Sequence, residues 1–172
     1  LNDQYSQSKG VDTHQSMQVM LLPASDNYNA FDPAARKLYW EQTKRGLFDK
    51  GVKAFWCDSS EPFAPEWVER EPEAGAMYDE YISTSAKFIP RDRINAYALA
   101  HAQTVYDGMR GETEDFRVCN LTRSAHTGSQ RYGTILWSGD ISAKWETLGK
   151  QIPAGLNFCA SGLPFWTLDI GG

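Results

Sequence analysis

Residues Gly51–Pro62 read Gly-Val-Lys-Ala-Phe-Trp-Cys-Asp-Ser-Ser-Glu-Pro, an apolar run of strand length that ends on a carboxylate, Asp58. Upstream, Asp32-Pro33 has the form of an N-cap followed by proline at the first helical position. The helix it opens should run to about Asp49, with Lys50-Gly51 as its stop. A helix followed by a strand that closes on a polar residue is one turn of an α/β fold.

The same unit recurs downstream. Asp92 can cap a helix whose apolar positions Ile94, Tyr97, Ala98, Val105 and Met109 fall at three-to-four spacing. Phe116–Leu121 then reads as a strand ending in Thr122-Arg123-Ser124, and Thr134–Trp137 as a short strand ending in Ser138-Gly139-Asp140. Ser142 can cap a further helix with Trp145, Leu148 and Ile152 on one face, before a last strand, Leu163–Leu168, which ends in Asp169. Strands alternating with helices predict a parallel sheet. One junction strains that reading, because only about a dozen residues separate the second strand from the third, the minimum for a parallel crossover.

Two stretches stand apart. Residues 1–30 lack clear periodicity, apart from a possible short strand at Met17–Leu22, and read as a loop-rich lead-in. Residues 59–92 hold four of the eight prolines together with many carboxylates and aromatics. A connection of that length is a binding-site wall or lid, or else a surface insertion.

Composition narrows the partners. The net charge of −5 comes from scattered carboxylates with no run of one sign, which argues against nucleic acid and against an anionic membrane surface. No apolar stretch approaches the ~18 residues that a spanning helix requires. The polar opening, LNDQYSQSKG, has no signal-peptide core, so no targeting segment is read within this chain and the compartment stays open. Cys57, Cys119 and Cys159 are odd in number and widely spaced, which fits buried free thiols better than a disulfide framework or a zinc site. His14, His101 and His126 show no paired ligand spacing, and no phosphate loop, HExxH or GxSxG motif occurs. Neither a metal nor an organic cofactor is therefore expected.

Asp58, Arg123, Asp140 and Asp169 all follow predicted strands, and ligand sites of parallel α/β folds gather at those C-terminal ends. Any one of them could merely cap the next helix, as Asp140 could for the Ser142 helix. Together they suggest a carboxylate site. Trp56, Trp137 and Trp166 stand two or three residues before aspartates, and aromatic faces beside carboxylates suit sugars, although tryptophan also fills cores. Glycoside hydrolysis needs only two carboxyl groups on opposite sides of a sugar, one ionised and one protonated.

GVKAFWCDSSEP, TRSAHTGSQRYGTILWSGD and LPFWTLDIGG resemble three consecutive signatures of glycoside hydrolase family 31, which holds α-glucosidases and α-xylosidases. FDPAARKLYWEQTKRGLFDKGV is similar to that family's helix before the nucleophile strand. The likeness covers about residues 31–62 and 93–172, leaving the first 30 residues and 63–92 poorly matched. It implies a (β/α)8 barrel and hydrolysis with retention, in which case the two carboxyls stand about 5–5.5 Å apart. By the same resemblance Asp58 is the nucleophile and Asp140 the acid/base. Arg123, Trp137 and Asp169 line the first sugar subsite, Trp56 forms a wall of it, and Glu61 supports the nucleophile from behind.

A complete barrel takes about 250 residues. The expected fold is thus α/β, a partial TIM barrel of about four parallel strands, roughly the fourth to the seventh, in one domain spanning 1–172. The rest of the barrel becomes its expected partner, alongside an α-glycoside substrate, and the 172 residues alone are expected to have little or no activity. Glucose against xylose is not readable from these motifs. Two other readings remain: a non-catalytic carbohydrate-binding or scaffold module of the same fold, and a metal-dependent barrel hydrolase.

Overall fold

The computed structural model describes residues 28–58, 60–61, 79, 82–83, 85–86 and 89–170. The possible strand at Met17–Leu22 and most of the 59–92 connection lie outside these residues.

Helix α1 spans Pro33–Gly46, and Asp32 caps it by accepting the Ala34 N–H on Oδ1 at 2.8 Å. Proline at the first position sacrifices no intrahelical bond. The expected run to Asp49 continues as a 3-10 turn, Phe48–Lys50, and Gly51 reverses the chain at φ +101°. Strand β1, Phe55–Cys57, follows. Helix α2 spans Tyr97–Glu112 and buries all five positions whose spacing predicted it, Ile94 lying in the 3-10 turn Arg91–Ala96 that leads into it. Asp92 does not cap this helix. The chain is already turning at Pro90, whose carbonyl takes the Arg93 N–H at 2.7 Å, so Asp92 sits inside the first turn.

Strands β2 (Asn120–Thr122), β3 (Thr134–Trp137) and β4 (Trp166–Thr167) complete one sheet, parallel throughout and ordered β1-β2-β3-β4. An order that never reverses is that of a (β/α)8 barrel, not of a doubly wound sheet, where the order switches direction. The short β2–β3 crossover is real. It closes through one 3-10 turn, Ser129–Tyr132, flanked by Gly128 at φ +102° and Gly133 at φ +68°. Gly133 is required twice over, because a Cβ there would also run into the Val118 carbonyl.

Register assigns the two faces. Trp56, Leu121 and Ile135 lie side by side, and Trp137 is two residues beyond Ile135, hence on the same face. On the other face, Phe55 and Cys57 join Trp40 of α1, Phe48, Val105 and Met109 of α2, and Val118 in one core cluster. Burying Val105 or Met109 so completely stabilises the fold by about 1.5–3 kcal/mol each.

Helix α3, Trp145–Ala160, departs from expectation at its start, while its apolar stripe does lie on one face, which is exposed. Ser142 does not cap it; the N-cap residue is Lys144, with no side-chain bond. Trp145, Leu148 and Ile152 are exposed, at 87%, 38% and 61%, with Leu156 continuing the stripe. The helix turns a different side inward, where Gly155 lets the Trp166 ring approach so closely that a Cβ would sit 2.7 Å from it. Of the three free cysteines, Cys57 is buried, Cys119 half-buried and Cys159 exposed in the last turn of α3, so the expectation of buried thiols fails for Cys159. Burial pushes the Cys57 thiol up to about 11, which leaves it unreactive beside the Asp58 strand end.

A second cluster packs Tyr28, Ala35, Ile94 and Tyr97, and at its Tyr28 edge the hydroxyl lies 2.9 Å from His101 Nδ1 in a buried hydrogen bond. Burial lowers the His101 pKa to about 4, so the folded protein holds a neutral imidazole. A folded pKa below the unfolded value of about 6.5 makes this contribution complete above pH ~6.5 and lost as pH falls toward 4. Stability should decline by up to about 1.4 kcal/mol per pH unit within that window. Denaturation midpoints between pH 7 and 4.5 check this, with His101→Gln expected to flatten the slope. An equally steep slope in the variant would remove His101 as the cause.

Candidate active site at the strand ends

Each candidate residue reaches the site from a different strand end. Asp58 follows β1 directly, its side chain half exposed. Arg123 follows β2, and its guanidinium is mostly buried. Asp140 lies three residues past β3, and Asp169 two residues past β4.

Arg123 joins them. Its Nη1 lies 3.1 Å from Asp58 Oδ1, while Nε and Nη2 each donate at 3.0 Å to the two oxygens of Glu61. Such a bidentate fork is among the strongest polar contacts a side chain makes, and it fixes the guanidinium plane. The Arg123 pKa is raised above its ordinary value, first through the Glu61 hydrogen bond and then through the charges of Glu61, Asp58 and Asp140. Asp140 reaches this part of the molecule through its neighbour Gly139, which lies against the Arg123 stem. Gly139, at φ +76°, lets this happen, since a Cβ there would come 3.0 Å from Arg123 Cδ. The glycine of Trp-Ser-Gly-Asp thus clears a path for the arginine stem.

A chain of hydroxyls ties the same two loops together. Ser60 Oγ lies 2.6 Å from Thr122 Oγ1 and 3.0 Å from Ser124 Oγ, and Thr122 donates to the Ser124 carbonyl at 3.0 Å. Sequence reading did not single out these serines and the threonine. Their only signal was position, since they alternate with Asp58, Glu61 and Arg123 at two strand ends.

The tryptophans divide. The rings of Trp56 and Trp137 meet edge to face, 5.7 Å between centroids. Trp56 is 68% exposed and Trp137 only 4%, so Trp56 offers an open aromatic surface while Trp137 backs it. Trp166 pairs in register with Leu136, one residue before Trp137, and lies against α3, so it belongs to the packing. Asp169 is half-buried at the neighbouring strand end, and among the described residues no hydrogen bond or ion pair links it to Arg123.

Sequentially ordered parallel strands with helices on one face make this part of a (β/α)8 barrel. Residues 3–172 match the TIM-barrel domain of the glycosyl hydrolases of family 31, and the chain belongs to that family. It is 42% identical over 147 residues to an α-xylosidase of Saccharolobus solfataricus, covering 84% of this chain and 19% of that protein. An uncharacterized family 31 glucosidase of Pseudescherichia vulneris is 38% identical over 146 residues, with coverage of 84% and 25%. The crystal structure of the family 31 α-xylosidase from Xanthomonas citri superposes with a TM-score of 0.71 at 34% identity, covering 84% of this chain and 15% of that one. The chain thus spans a quarter or less of the length of these relatives.

Proposed function

We propose that these residues form the central part of the catalytic barrel of a longer enzyme, which hydrolyses α-glycosidic bonds at a non-reducing end with retention of configuration. The observation that carries this reading is the Arg123 guanidinium 3.1 Å from Asp58 Oδ1, with its stem lying against Gly139, the residue before Asp140, at a separate strand end. The half-exposed Asp58 carboxylate attacks the anomeric carbon while Asp140 gives its proton to the departing oxygen. A glycosyl ester of Asp58 forms as the glycosidic bond breaks. Asp140, now ionised, takes a proton from water, and that water displaces Asp58 from the same face the leaving group left. Inversion at both steps returns the α anomer. Trp56, backed by Trp137, supplies apolar contact for the sugar's C–H face, and Arg123 and Asp169 meet its hydroxyls. Glu61 stands behind Arg123.

The α-xylosidases among the relatives favour an α-xyloside over an α-glucoside. A panel of aryl α-xyloside and aryl α-glucoside on the complete enzyme ranks the two. A 5-fluoro-α-glycosyl fluoride of the preferred sugar should trap the ester, adding one glycosyl mass to the peptide that contains Asp58. Label on any other residue, or a β-configured first product, would overturn the assignment.

A further inference from the structure

Asp58 and Arg123 each stand one residue past the last rung of the β1–β2 ladder, where Cys57 pairs with Thr122. Beyond that rung the ladder's backbone bonds no longer set the distance between the two chains. Three hydroxyls take over. Ser60 Oγ lies 2.6 Å from Thr122 Oγ1 and 3.0 Å from Ser124 Oγ, and Ser60 and Thr122 are only 3% and 1% exposed. Register puts the Thr122 side chain on the side of the sheet that carries Cys57 and the helices, away from Trp56. Ser60 and Thr122 thus meet behind the site.

Proton counting orients the whole set. A hydroxyl has one proton to give. Thr122 gives its own to the Ser124 carbonyl at 3.0 Å, so in the 2.6 Å contact it accepts and Ser60 donates. With the Ser60 proton committed, Ser124 is the donor to Ser60. The ring runs one way, from the Ser124 hydroxyl through Ser60 and Thr122 back to the Ser124 carbonyl. Bonds in such a chain strengthen one another, and removing a middle member strands both of its neighbours. Arg123 also bridges these loops, through Asp58 and Glu61, but on a long stem that accommodates changes in backbone spacing. A serine hydroxyl stands one carbon from the backbone and transmits that spacing directly.

Resting on the catalytic reading above, we infer that Ser60 is a positioning residue: its hydroxyl, the middle of the ring, fixes the distance between the nucleophile's loop and the arginine's loop. Ser60 touches neither substrate nor reacting atoms in this assignment. It acts through the placement of Asp58, two residues earlier.

The test uses the complete enzyme, with 5-fluoro-α-glycosyl fluoride labelling to count competent sites, so that every rate is expressed per folded site. Ser60→Ala removes two bonds of the ring. It should slow ester formation on Asp58, and kcat/KM with it, by roughly 10- to 100-fold, the upper figure being the loss that a misplacement of about 1 Å causes. Thr122→Val keeps the shape, also removes two bonds, and should lose about as much. Thr122→Ser keeps the hydroxyl and should recover most of that loss. Ser124→Ala removes one bond, leaves the carbonyl acceptor in place, and should lose least. The double variant Ser60→Ala/Thr122→Val should be no more than about threefold worse than Ser60→Ala, because members of one network are not additive. A Ser60→Ala enzyme within about threefold of the parent per site, even with a lowered melting midpoint, would make the hydroxyl structural and overturn the inference. So would multiplying losses in the double variant, or a Thr122→Ser enzyme as slow as Thr122→Val. Should Ser60→Ala give no countable sites, Thr122→Val decides by the same criteria; if neither gives any, the ring serves the fold and the inference falls. Asp58 labelling in the parent keeps the two ideas separable: label elsewhere sinks the catalytic reading, whereas label on Asp58 with a silent Ser60→Ala sinks only the role of Ser60.

Discussion

Asp58→Asn should lower kcat of the complete enzyme by on the order of 10⁴-fold or more, the scale seen when a covalent nucleophile is removed. The amide matches the carboxylate in size, so the strand end and the packing of Cys57 beneath it need not change. What disappears is the negative charge that the proposed mechanism directs at the anomeric carbon, the same charge that faces Arg123 Nη1 at 3.1 Å. The loss should be similar for good and poor leaving groups, because no glycosyl ester can form with either. Fluoroglycoside labelling should vanish along with turnover. A loss below about tenfold, with labelling intact, would place the nucleophile elsewhere.

Asp140→Ala should behave differently, and the difference identifies its role. A general acid contributes about 10²–10⁴-fold when the departing oxygen needs a proton. An alkyl glycoside should lose that much, whereas an aryl glycoside with an acidic phenol should form the ester almost normally. Hydrolysis of the ester then lacks its base and becomes limiting, so a burst of phenol should precede a slow steady state. Azide needs no base, and its addition should restore turnover and give the α-glycosyl azide. Equal losses on both substrates, without azide rescue, would assign Asp140 to binding only. Unchanged rates on the alkyl glycoside would favour the non-catalytic module over the enzyme.

Local chemistry made much of the fold legible. Asp32-Pro33 and Gly51 bracket the α1 segment because capping and left-handed backbone are decided within a few residues. Thr134–Trp137 is the strand its pattern predicts. Errors came where tertiary geometry decides. Asp92 and Ser142 have cap chemistry, but Pro90 and Lys144 occupy the entry positions. The stripe on α3 does share one face, but its spacing did not tell whether that face is inward, and the side bearing Gly155 is the one that meets Trp166. In the site, strand endings singled out the charged residues, and the resemblance supplied their proposed roles. The fork between Glu61 and Arg123 and the hydroxyls of Ser60, Thr122 and Ser124 were hidden, because partners some sixty residues apart leave no local periodicity.

That separation also orders events during folding. Asp32–Gly51 and the α1 turn can organise from neighbours alone. The Glu61–Arg123 clamp joins residues 62 apart in sequence and lies at the ends of two strands already paired, so it cannot exist until β1 has met β2. In a refolding experiment, competence to accept a glycosyl group would be the last signal to return, well after helical signal and Trp40 burial have recovered.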